Sequence, residues 1–122
     1  MTDRIAVLVV EDEALILLDI ADQLEAEGYI VYSAANAAMA IDLLISQPDI
    51  RLVFTDIDMP GTMDGLMLAA AVRKRWPPVK IIVTSGRRLV EITDLPDGSV
   101  FFSKPYSHAK VATSMREMLE KV

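Results

Sequence analysis

Short apolar runs alternate along this chain with longer segments of helical period. Residues 4–10 are aliphatic from Ile5 onward without a polar break, the mark of a strand covered on both faces. Residues 14–27 take a 3.6-residue period, with Ile16, Leu17, Ile20, Ala21 and Leu24 on one stripe and Gly28 as the stop. A second strand is predicted over 29–33, and a helix over 37–46 with Asn36 as N-cap and Pro48 just beyond it. A third strand spans 51–55. After the turn at 60–65, a helix runs over 66–76 until Pro77-Pro78 stops it. A fourth strand occupies 80–84, a short helix at most 87–93, a fifth strand Val100–Ser103, and a closing helix capped by Ser107 covers 107–121.

Strict alternation of strands with helix-length connections predicts an α/β fold, a doubly wound (βα)5 parallel sheet with helices on both faces. Ligands of such sheets bind outside the carboxyl ends of the strands. Each strand run here that is followed by a reactive polar group carries it at that end: Glu11-Asp12, Asp56, Ser85 and Lys104. Three carboxylates on one rim repel one another, and a hard divalent cation such as Mg2+ resolves that repulsion. Phosphoryl transfer to a carboxylate needs positioning and neutralisation of the equatorial oxygens, which a metal, an ammonium and a hydroxyl can supply together. Asp56 is then the nucleophile and Lys104 the second cation. Taken singly, each group has an ordinary structural reading, as a helix-start acid, a turn former or a loop residue. Their joint placement favours chemistry.

Composition narrows the class. With 122 residues the chain is read as one domain, 1–122, large enough for one core. It has no cysteine, which removes disulfide and thiol chemistry, and no apolar stretch near the roughly 20 residues of a membrane span. Nothing at the N-terminus resembles a signal peptide, so a cytoplasmic setting is expected. A net charge of -6 argues against a nucleic-acid surface, and the basic run Arg73-Lys74-Arg75 falls at a helix end where cations complement the dipole. The lone His108 reads as a solvated surface residue and the seven methionines as packing.

The motifs Val9-Val10-Glu11-Asp12-Glu13, Thr55-Asp56-Ile57-Asp58-Met59-Pro60 with Asp64-Gly65, Val83-Thr84-Ser85-Gly86 and Phe102-Ser103-Lys104-Pro105-Tyr106 resemble those of bacterial response-regulator receiver domains over essentially the whole length. The resemblance implies a flavodoxin-like sheet of strand order 2-1-3-4-5. It implies that Asp56 takes a phosphoryl group from a phosphohistidine on a histidine kinase or histidine phosphotransferase, so the chain would catalyse only its own phosphorylation and dephosphorylation. Asp12 would ligate Mg2+ directly, Glu11 through water, and Asp58 through its backbone carbonyl. The resemblance implies Ser85, which directly precedes the small Gly86, as the switch hydroxyl; Thr84, one residue earlier, would point to the other face of the strand. The switch aromatic falls on Phe101, which lacks a phenolic hydroxyl and can report only by packing.

Two features depart from the pattern. Pro96 and Gly98 leave room only for a shortened fourth helix, which puts dimerisation by that face in doubt and favours a monomer or weak dimer. The sequence carries no output domain after Val122, which suggests a stand-alone relay intermediate, phosphate sink or contact regulator. Asp56-Ile57-Asp58 also resembles the acid pair of haloacid dehalogenase phosphatases, but there the nucleophile sits on the first strand and acids follow the lysine. A receiver-like partner binder that is never phosphorylated is the third reading. Finally, Leu15 and Leu18 fall off the core stripe of the first helix, toward solvent, and suit partner docking.

Overall fold

The computed structural model describes residues 4–59, 61, 63–86 and 95–120. The apolar runs form β1 (Ala6–Val10), β2 (Ile30–Ala34), β3 (Ile50–Asp56), β4 (Lys80–Ser85) and β5 (Val100–Ser103). They pair in parallel, in the order β2-β1-β3-β4-β5. Between and after them lie α1 (Ala14–Ala26), α2 (Ala37–Ser46), α3 (Gly65–Arg75) and α4 (His108–Glu120). This is the expected flavodoxin-like doubly wound sheet. The expected short helix over 87–93 lies outside the described residues.

Two-residue alternation along each strand splits the core in two. Leu8, Val10, Val53, Ile81 and Val83 face α2 and α3, whereas Val7, Val9, Leu52, Phe54 and Ile82 face α1 and α4. All five residues of β1 are buried, which accounts for its unbroken aliphatic sequence. Gly28 (φ +100°) ends α1: its N–H donates to Glu25 O at 2.9 Å, and the Tyr29 N–H reaches back to Leu24 O at 3.2 Å, the paired bonds of a Schellman turn. The side chains of Asn36 and Asp64 each accept a 2.9 Å bond from the third helical N–H of α2 and α3. Ser107 caps α4 through Lys110 N at 3.3 Å. Among the described residues no helix is long and apolar enough to cross a membrane.

Several expectations need correction. Ile16 belongs to neither core cluster; half-buried in the first turn of α1, it lines a groove with Lys104 and Tyr106. Of the methionines, Met115 and Met118 are core, but Met39 and Met67 are exposed. Each adjoins a buried position (Ala40, Leu68) and is therefore turned about 100° away from the stripe. His108 is not simply solvated: its Nε2 lies 3.2 Å from Asp19 Oδ2, tying the start of α4 to α1.

Candidate functional site

The carboxyl rim gathers the reactive groups because the hydrogen-bond ladder continues one step past the strands. Glu11 N donates to Ala34 O (3.0 Å), Ile57 N to Thr84 O (2.8 Å) and Lys104 N to Ser85 O (2.9 Å). Each residue leaving a strand is thus held to its neighbour's end. The result is a cluster in which ligand atoms of Glu11, Asp12 and Asp56 all lie within 4.8 Å of one another. Lys104 Nζ stands between two of them, 2.8 Å from Glu11 Oε1 and 3.1 Å from Asp56 Oδ2.

The electrostatics are unbalanced. Glu11 and Asp56 are buried, only 2% and 3% exposed, and one ammonium serves both. Burial pushes the Glu11 carboxyl up to about 7, with Asp56 adding to the rise and the hydrogen bond from Lys104 opposing it. Burial alone would lower the Lys104 pKa, but its bonds to Glu11 and Asp56 outweigh that and raise it. Glu11 Oε2 is buried with no hydrogen-bond partner. An orphaned carboxylate oxygen beside two further carboxylates, with exposed Asp12 opening to solvent, is a donor set that suits a hard divalent cation.

The raised Glu11 pKa has a thermodynamic consequence. Below about 4.5 the folded and unfolded chains both hold the proton; above it the unfolded chain releases it first. Metal-free protein should therefore lose stability from this group as pH rises from about 4.5 through about 7. Thermal melts in chelator across that range should show a steeper fall for wild type than for Glu11→Gln, with the variant gaining most above pH 7. Parallel curves would remove Glu11 as the source.

Ser85 and Asp58 meet each other: Ser85 Oγ donates to Asp58 Oδ2 at 2.9 Å, and Asp58 N donates to Asp56 Oδ1 at 3.4 Å. The segment after β3 thereby folds back over the acceptor carboxylate. Ser85 continues the face of Val83, whereas Thr84 shares the face of Ile82. Phe101 pairs with Val83 across β4 and β5, half-buried against the same cluster, so Ser85 and Phe101 share a face. Leu15 and Leu18 stand apart from the cluster on α1, 82% and 59% exposed.

Two residues matter here for reasons the sequence did not disclose. Gly65 opens α3 where a Cβ would overlap the main-chain carbonyl oxygen of Asp56 and lie 2.7 Å from Ile57 Cα. Its N–H donates to Ile57 O at 3.0 Å. The signal was the Asp64-Gly65 pair, whose steric reason only the folded chain supplies. Tyr106 packs edge-on against Phe54 with ring centroids 5.6 Å apart, and burial pushes its phenol up to about 12. With Ile16, Asp19, Lys104 and His108 it lines a groove of about 410 Å³ beside the site.

A family model described as the response regulator receiver domain matches residues 7–116. The sensor kinase CckA of Brucella abortus is 34% identical over 119 residues, covering 94% of this chain and 12% of that protein. The transcriptional regulatory protein PdtaR of Mycobacterium tuberculosis is 38% identical over 105 residues, 83% of this chain and 50% of its own length. The chain thus spans half or less of these curated relatives. The crystal structure of a response regulator receiver protein from Sinorhizobium medicae superposes with a TM-score of 0.89 at 30% identity, covering 98% of this chain and 97% of that one.

Proposed function

The chain belongs to the response regulator receiver domain family, and from that premise we propose that Asp56 accepts a phosphoryl group from phosphohistidine on a histidine kinase or phosphotransferase. The observation that carries this reading is Lys104 Nζ at 3.1 Å from a buried Asp56 inside a three-carboxylate cluster. Asp56 oxygen attacks phosphorus in line; the new O–P bond forms as the N–P bond breaks, and the departing imidazole nitrogen keeps the electron pair and takes a proton from solvent water. Glu11, Asp12, Asp56 and the Asp58 carbonyl would hold Mg2+, which when bound neutralises the carboxylates and the phosphoryl oxygens. Lys104 swings from its two carboxylates to a phosphoryl oxygen, adding the second positive charge. Ser85 releases Asp58 and donates its hydroxyl to the phosphoryl group, and Phe101 moves inward on the same face. The chain signals by protein contact or passes the group on as a relay intermediate.

Intact-mass spectrometry after incubation with acetyl phosphate and Mg2+ tests the reading. One phosphoryl adduct on Asp56, absent in chelator, is expected; turnover of many phosphate esters, or no adduct at any concentration, would overturn it.

We infer that the donor docks on α1. Leu15 and Leu18 form an apolar patch beside the acceptor rim with no packing role. Leu15→Ala with Leu18→Ala should slow transfer from a phosphorylated histidine protein by about tenfold or more while sparing labelling by acetyl phosphate, which needs no docking. The ratio of the two rates is the measurement, and equal losses would return the leucines to a structural role.

A further inference from the structure

The rim opposite Asp56 carries a second concavity that phosphoryl transfer does not use. It lies at the amino ends of β3 and β4, about 20 Å from the acceptor along β3. It encloses about 450 Å³, within the range of small-molecule sites. Trp76, Pro48 and Pro77 supply rigid apolar surface, and Arg51, Lys80 and Gln47 supply polar groups. The chain has a net charge of -6, yet both charged side chains lining this pocket are cations. Among the described residues neither has a carboxylate partner: Arg51 spends one N–H on Leu119 O at 3.3 Å, and Lys80 makes no ion pair. Gln47 accepts from Tyr32 at 3.1 Å through its carbonyl, which leaves its amide N–H groups to donate. The charged side chains of the lining are therefore both donors and both positive, beside an indole that Arg75 covers at 4.5 Å.

We propose that this pocket is a binding site for a small carboxylate with an aromatic body. The ring packs among Trp76 and the prolines, and the carboxylate takes the donors of Arg51 and Lys80, for which a planar acceptor matches the guanidinium fork. A neutral or cationic ligand of the same shape would leave those two charges uncompensated or repel them.

Trp76 is the one tryptophan of the chain, so its emission reports the pocket directly. The 122-residue chain would be titrated with 3-phenylpropionate, its amide and 3-phenylpropylamine. The acid should shift Trp76 emission saturably, the amide should bind about tenfold more weakly or worse, and the amine should give no saturable change. Lys80→Gln, which breaks no side-chain bond among the described residues, should weaken the acid about tenfold while leaving acetyl phosphate labelling at Asp56 intact. Arg51→Ala with Lys80→Gln should abolish the response. No saturable change with the acid, equal affinities for acid and amide, or an unaltered response in Lys80→Gln would each overturn the site.

Discussion

Asp56→Asn should abolish labelling by acetyl phosphate and by any phosphohistidine donor, with the fold retained. The amide is nearly isosteric with the carboxylate but cannot attack phosphorus. Its surroundings tolerate the change: Asp58 N can still donate to the remaining carbonyl oxygen, and Lys104 keeps Glu11 at 2.8 Å as its ion-pair partner. Removing one of two buried carboxylates also relieves repulsion, so the melting temperature in chelator should be no lower than that of wild type. The checks are intact mass and a thermal melt on the same preparation. Labelling at wild-type stoichiometry would move the acceptor elsewhere, whereas a folded protein without an adduct supports the assignment.

The central strands β1, β3 and β4 were legible because both their faces are covered, which leaves aliphatic runs with reactive groups only at their ends. Caps and stops at Asn36, Ser107 and Gly28 were legible for a local reason, since each acts within a few residues of itself. What stayed hidden depends on separation in sequence. The Glu11 to Lys104 bond joins residues 93 positions apart, and the Ser85 to Asp58 bond joins residues 27 apart; the strand order brings these elements together, but rotamers decide which atoms touch. Periodicity also put Ile16 in the core, because a stripe gives a direction around the helix and not what each position along it meets; Ile16 meets the groove beside Lys104 and Tyr106. The exposed Met39 and Met67 show the related limit that an apolar residue on a helix need not face its core.

Gly65→Ala should be the most damaging single methyl in the described part of this molecule. At Gly65 the constraint is steric and not one of backbone angle, since its φ is not positive. The added Cβ would overlap the Asp56 carbonyl oxygen and stand 2.7 Å from both Asp56 C and Ile57 Cα, all main-chain atoms that no rotamer can move aside. Relief requires α3 to back away from the end of β3, breaking the Gly65 N to Ile57 O bond and loosening Leu68, Ala69 and Val72 in the core. Overpacking of this kind costs about 3 kcal/mol, which for a chain of this size lowers the melting temperature by about 10 °C. The same displacement shifts the main chain that carries Asp56, so labelling of the folded fraction should also slow. Gly86→Ala is the internal control: among the described residues its Cβ would meet only Lys104 Cβ at 3.4 Å and Cδ at 3.6 Å, ordinary contacts that cost little. Comparable melts for the two variants would mean that α3 can slide along the rim without penalty, and the close approach at Gly65 would then have no part in holding the acceptor in place.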